Sequence, residues 1–321
     1  MTQRISIILP FFNEEANVPV FFSRLYEIVT NVPECDFECI CINDGSRDRT
    51  LLALQQAQER YPGLVIVDFT RNFGKEAALT AGLDQATGDA LIFMDTDLQH
   101  PPEIIPSLIA CWREKHVPVV LAKRRSRTTE GAFYRSAAEV FYRLHNSISE
   151  VRIPPNIGDF RLIDRSVAEQ LKRLPESRRF MKGLFAWVGY ESAVVDYDVA
   201  PRFHGSTSFN KWRSWNFALE GITSFSTVPL RLWTYIGLFF TAASFLYASW
   251  IIVRTLVSGI DIPGYASLLA AVVFLGGLQL IGIGIMGEYI GRVYLESKRR
   301  PIYLVRQILP GANPSVRNDR Q

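Results

Sequence analysis

Two stretches of about 22 residues, 232–253 and 266–287, carry no charged side chain. At 1.5 Å per residue each makes about 33 Å of helix, enough to cross the hydrocarbon core of a bilayer. That pair constrains the chain more than any other feature: it predicts a membrane hairpin over 231–292 behind a polar domain. A buried helical hairpin in a soluble protein is the alternative, and the length and the flanks disfavour it. Trp233, Tyr235, Tyr247 and Trp250 stand near the ends of the first stretch, as an aromatic belt would. The connecting TLVSGIDIPGY holds no Lys or Arg beyond the bordering Arg254, whereas Arg213, Arg231, Arg292, Lys298, Arg299 and Arg300 flank the outer ends. Cationic flanks stay on the cytoplasmic side, so both termini, including a tail over 293–321, are expected there.

Just before the hairpin, Trp212, Trp215, Leu219, Ile222 and Phe225 recur at helical spacing. The spacing predicts an amphipathic helix over 211–230 lying in the membrane interface, although a core-packing helix has the same period. Inside the second stretch, Gly282, Gly284 and Gly287 spell G-x-G-x-x-G, but within a membrane helix they read as a packing face and not as a dinucleotide fingerprint. Gly287 and Gly291 are spaced for close helix approach, and Glu288 and Arg292 for an i,i+4 ion pair.

Residues 1–210 read differently. The apolar runs RISIILP, FECICIN, LVIVDF, ALIFMD and VPVVLA alternate with amphipathic segments near 15–30, 47–60, 73–86 and 102–115. Such alternation predicts an α/β doubly wound domain with a parallel sheet. Ligands of these sheets bind beyond the carboxyl ends of the strands, where this chain places Asn13-Glu14, Asp44-Gly45-Ser46, Arg71-Asn72 and Asp95-Thr96-Asp97. The N-terminal apolar run is too short for a secretory signal, so this domain is expected in the cytosol. Cys35, Cys39, Cys41 and Cys111 match no common zinc spacing and read as small buried thiols. A net charge of +3 is too small to imply nucleic acid as a partner.

Asp95 and Asp97 close a buried apolar run, and paired carboxylates there suit a hard divalent cation bridging to a diphosphate. A solvated strand end would carry the same letters. The company of the pair is more specific: ILPFFNEE, INDGSRDRT, RNFGKEAALTAG and MDTDLQHPPE stand in that order. They are followed by GDFRLIDR, RRFMKGLFAWVGY, RFHGSTS, WNFALEGITSFSTVPLRLWTYIG and GEYIGRVY. Together these segments resemble the polyprenyl-phosphate glycosyltransferases of the inverting GT-A class over nearly the whole chain, and within it the bactoprenol glucosyltransferases.

The resemblance implies a GT-A domain, an inverting single displacement, and glucose transfer from UDP-glucose to undecaprenyl phosphate for O-antigen-type glycan modification. It implies that Pro10, Asn13 and Glu14 line the nucleoside pocket and that Asp44 contacts the base. Asp95 and Asp97, with Gln99, would hold Mg²⁺ or Mn²⁺ against the donor diphosphate. Asp159 matches the position usually given to the catalytic base, a turn cap after Gly158 being its bland alternative. A phosphate monoester has its second pKa near about 6, so the lipid nucleophile is largely dianionic without help and Asp159 is expected chiefly to orient substrates. Arg124, Arg135 and Arg202 are the candidates for the lipid phosphate, because guanidinium groups bind phosphate oxygens bidentately. In many relatives a Lys follows the small residues of the RFHGSTS segment; here Ser208 stands there and Lys211 is the nearest ammonium. A homo-oligomer, a tetramer by resemblance, in a bacterial inner membrane completes the expectation. GDP-mannose or a UDP-amino-sugar as donor, and a non-catalytic membrane scaffold, remain the alternatives. A nicotinamide oxidoreductase founders on the missing glycine fingerprint after the first strand.

Overall fold

The computed structural model describes residues 2–125, 157–177, 179–198, 228–258 and 264–311. Its first half is the alternation expected: β1 (Gln3–Phe11), α1 (Asn17–Val29), β2 (Cys35–Asn43), α2 (Thr50–Arg60), β3 (Leu64–Phe69), α3 (Lys75–Gln85), β4 (Ala90–Phe93), α4 (Ile105–Lys115) and β5 (Val119–Arg124). Then come β6 (Ile157–Asp164), α5 (Arg165–Arg173), α6 (Met181–Trp187) and β7 (Ser192–Tyr197). Two long helices, α7 (Val228–Ser258) and α8 (Tyr265–Ser297), precede a last strand, β8 (Val305–Leu309).

All eight strands join one sheet in the order β7-β5-β6-β4-β1-β2-β3-β8. The inner strands are apolar on both faces because both are covered: α1, α2 and α4 pack on one side and α3, α5 and α6 on the other. On α1, Val18, Phe21, Phe22, Leu25 and Val29 recur at three- and four-residue steps and are buried against the sheet. Cys39, Cys41 and Cys111 are buried free thiols, as the sequence suggested, and Cys35 is half-buried.

The sheet is mixed, not parallel throughout. β1, β2, β3 and β4 run parallel, but β6 inserts antiparallel between β4 and β5, and β8 adds antiparallel to the outer edge of β3. The physical reason is that GDFRLID carries Asp159, Arg161 and Asp164 among its apolar residues and so does not read as one of the apolar runs, and residue type does not encode strand direction. Val305–Leu309 was expected in a tail; the open edge of β3 gives it a ladder, with Val67 opposite Ile308 and Asp68 opposite Gln307.

Both uncharged stretches are helical. Within α8 the segment Phe274–Ser297, 24 residues with a mean hydropathy of 1.3, is long and apolar enough to cross a membrane. Large apolar side chains on both helices face outward, among them Phe239, Leu246, Trp250, Val272, Ile281 and Ile290. An apolar surface of this extent needs lipid or a partner to cover it. Gly282 is buried under the indole of Trp233, which a Cβ would overlap, so this part of the glycine pattern is a helix-packing contact as expected. The Arg292 guanidinium pairs with Glu288 at 2.9 Å. The interfacial helix expected over 211–230 lies almost wholly outside the described residues.

Candidate active site

The carboxyl ends of β1, β2, β3 and β4 open into a cavity of about 1020 Å³. Its walls include Pro10, Asn13, Glu14, Asp44, Asp95 and Asp97, so the structure gathers these sequence-predicted residues in one place. Asn13 follows β1 with φ 56°, a left-handed conformation that asparagine tolerates better than most residues. Its backbone N–H donates to Ser46 Oγ at 3.0 Å and its side-chain oxygen accepts from Arg47 N at 2.9 Å. Glu14 N donates to Thr50 Oγ1 at 2.8 Å. The loops after β1 and β2 are thereby tied into one wall.

Asp44 is buried and occupied. Its Oδ1 accepts from Phe73 N at 2.7 Å, and its Oδ2 from Gly74 N and from Asn72 Nδ2, both at 2.9 Å. Burial raises its pKa against the pull of the two backbone N–H groups. These bonds fix the loop that leads into α3. Gly45 beside it has φ 61° and lies against the backbone of Arg71 and Asn72, where a Cβ would overlap both. Gly45→Ala is therefore expected to cost at least about 2 kcal/mol, from left-handed strain plus a clash that only backbone movement relieves. Thermal melts of the purified variant check this: the midpoint should fall.

The centre of the site is a residue to which sequence reasoning gave no role. Lys75, the first residue of α3, projects its ammonium between two carboxylates, 2.5 Å from Asp95 Oδ1 and 2.6 Å from Asp159 Oδ2. Burial opposes its charge, but Asp159 and Asp95 outweigh burial and push its pKa up. Burial would raise the Asp159 pKa, yet Lys75, Lys182 and Arg161 hold it well below the ordinary carboxylate range. Asp95 is lowered in the same way, its burial overcome chiefly by Lys75. Asp159 enters on β6, the strand whose direction was not legible, and β4 next to it ends just before Asp95. Its Oδ1 is buried and accepts no hydrogen bond from the described residues.

Around this trio sit further groups the sequence did not single out. His100 is buried and stacked on Phe160 with ring centroids 5.1 Å apart. Its Nδ1 accepts from Asp95 N at 3.1 Å, and burial lowers its pKa, so it positions Asp95 as a neutral ring. Arg161 lies buried 4.1 Å over the Phe185 ring and donates to Gly158 O at 2.8 Å; burial pushes its pKa down to about 10. Glu76, next to Lys75, accepts from Met181 N at 2.9 Å and so joins α3 to the start of α6.

Burial and Asp159 raise the Glu76 pKa from 4.5 to about 7. Because the folded pKa lies above the unfolded one, the stability this group contributes is full below about pH 4.5 and is lost as pH rises through 7. At about 1.4 kcal/mol per pH unit the window bounds the effect at about 3 kcal/mol. Glu76→Gln keeps an acceptor for Met181, so its melting temperature is expected to match the wild type at pH 5 and exceed it at pH 8.

Asp97 Oδ1 accepts from Gln99 N at 3.1 Å, so Gln99 is tied to the metal-type loop through its backbone. Arg124, at the end of β5, donates from Nε to Tyr197 Oη at 3.3 Å, and the Tyr197 ring centroid lies 6.2 Å from that of His100. Arg135, Arg202 and Lys211 lie outside the described residues. Among the described residues no three His, Cys, Asp or Glu side chains form a ready cation cage. Two carboxylates at the mouth of a polar cavity, with the orphaned Asp159 Oδ1 nearby, nevertheless fit a hard cation that takes its other ligands from a diphosphate and water.

Residues 6–172 match Glycosyl transferase family 2, and residues 228–293 match the GtrB C-terminal hairpin. A bactoprenol glucosyl transferase of Shigella phage SfV is 53% identical over 303 residues, which are 94% of this chain and 98% of the phage protein. A prophage bactoprenol glucosyl transferase homolog of Escherichia coli is 50% identical over 305 residues, 95% of this chain and 99% of that one. An uncharacterized glycosyltransferase of Synechocystis is 51% identical over 305 residues, 95% of each chain. The chain belongs to glycosyl transferase family 2, as an enzyme whose GT-A-like domain precedes a GtrB-type hairpin.

Proposed function

We propose that this protein transfers glucose from UDP-glucose to undecaprenyl phosphate with inversion, giving a polyprenyl-phosphate-glucose for glycan modification. The observation that carries the reading is the Asp95–Lys75–Asp159 cluster, of which Asp95 and Lys75 line a cavity wide enough for a nucleotide-sugar. Near-full-length relatives named for bactoprenol glucosyl transfer supply the sugar and the lipid. Asp95 and Asp97, with Gln99 behind them, would hold Mg²⁺ or Mn²⁺, which offsets charge on the departing nucleoside diphosphate. Lys75 holds Asp159 beside Asp95 at the edge of the donor cavity. A carboxylate with so depressed a pKa has little affinity for a proton, so Asp159 orients the reactants and the phosphate dianion attacks without deprotonation. Arg124, Arg135, Arg202 and Lys211 are assigned to the lipid phosphate.

Connectivity supports a two-span topology: β7 and β8 belong to one sheet, so a chain that crosses a bilayer between them does so an even number of times. If α8 crosses, α7 is the partner crossing among the described helices, and the cationic flanks assign the catalytic domain (1–210) and both termini to the cytoplasmic side. Around Gly284, Gly287 and Gly291 an added Cβ would meet nothing within 4 Å, leaving room for the homo-oligomer that the family resemblance suggests.

The test is transfer of radiolabel from a panel of UDP- and GDP-sugars into organic-extractable lipid, with purified protein, undecaprenyl phosphate and Mg²⁺ or Mn²⁺, beside an EDTA control. Metal-dependent label from UDP-glucose alone supports the reading in full. Label from GDP-mannose or a UDP-amino-sugar changes the donor, and no lipid label from any donor sinks the enzyme reading in favour of a scaffold.

A further inference from the structure

The cavity has one wall that the catalytic strands do not build. Arg306 comes from β8, after the membrane helices, and lines the same space as Asp44, Gly45, Thr70 and Arg71. Its Nη1 pairs with Asp68 Oδ2 at 3.2 Å and its Nη2 donates to Thr70 O at 3.0 Å. Asp68 is fully buried, and its other oxygen accepts from Asn43 Nδ2 at 2.7 Å. Asp68 and Thr70 hold one side of the guanidinium, yet the side chain is still 56% exposed where it borders the cavity. Only two of the five N–H groups of a guanidinium are used by these contacts.

We propose that Arg306 binds the nucleoside part of the donor, hydrogen-bonding acceptor atoms on the base. This rests on the nucleotide-sugar reading given above. The sheet order sets the assignment: β8 lies four strand spacings from β4, about 19 Å, while Asp95 and Asp97 follow β4. With the diphosphate anchored at the β4 end, the nucleoside runs across β1 and β2 toward β3 and β8. A guanidinium only donates hydrogen bonds, so it favours the carbonyl-bearing edges of uracil or guanine over exocyclic amines.

Calorimetric binding of UDP and of GDP to the full-length protein in detergent tests this, together with the KM and kcat for whichever donor the protein uses. Arg306→Gln is compared with the double variant Arg306→Gln/Asp68→Asn, which removes both charges and leaves no unpaired buried carboxylate. In the folded double variant, nucleoside diphosphate affinity is expected to fall about tenfold to a hundredfold. The donor KM should rise in parallel, with a much smaller change in kcat and in the lipid KM. Unchanged affinity in the double variant overturns the proposal and leaves Arg306 as a counter-ion for Asp68. A wild type that binds neither nucleotide overturns the donor reading and this proposal with it.

Discussion

Lys75→Met is expected to lower kcat about a thousandfold and to destabilise the fold by about 1 to 2 kcal/mol, because it leaves the buried Asp159 and the partly exposed Asp95 beside each other without a cation, an effect that water reaching the 40%-exposed lysine screens. Met retains most of the unbranched stem, so lost packing is a small part of the effect. The stability loss has a defined pH window. Asp159 and Asp95 have depressed folded pKa values, so the stability they draw from Lys75 is present above the ordinary carboxylate range and is lost as pH falls through their lower folded values. The raised pKa of Lys75 keeps the ammonium charged up to and beyond its usual range. The difference in melting temperature between variant and wild type should therefore be constant from about pH 5 to 9 and shrink toward acid. Equal melting temperatures at pH 7 would mean that the three charges are not coupled.

Asp159→Asn should lose about a hundredfold in kcat by the same factor from pH 6.5 to 8.5. Asn keeps the size of the side chain and an oxygen for Lys75, but not the charge that centres the ammonium between β4 and β6. An orienting residue loses the same factor at each pH, because the attacking phosphate is already dianionic above about pH 6. A general base behaves otherwise: its loss shrinks as pH rises and hydroxide substitutes for it. Single-turnover rates at saturating lipid, taken across that range, separate the two roles.

The strand ends that build the cavity were legible because each follows a continuous apolar run, and a run buried on both faces has few other places to go. Direction was not legible. β6 and β8 reach the sheet from distant parts of the chain, and GDFRLID and VRQIL interrupt their apolar residues with charged or polar ones, so neither reads as a strand buried between parallel neighbours. Asp44 was singled out as a base contact, yet three of its hydrogen bonds go to Asn72, Phe73 and Gly74. Two of those donors are backbone amides, which leave no trace in residue type. Lys75 was visible inside RNFGKEAALTAG as a lone cation at a helix start, where a positive charge opposes the helix dipole. That local conflict was the available signal, since a strong cation in an unfavourable position needs a partner, and here the second one is 84 residues away. Arg306 gave no comparable sign among the many basic residues of the tail.

The route of the chain through β8 also orders events during synthesis. Glu296 at the end of α8 accepts from Ser177 N at 2.9 Å, Tyr303 stacks on Phe69 with centroids 5.1 Å apart, and β8 then closes the edge of β3. A ribosome releases these residues only after both hydrophobic helices have emerged, so the edge of β3 waits unpaired until then. The last wall of the cavity is thus assembled only after both helices have been synthesised.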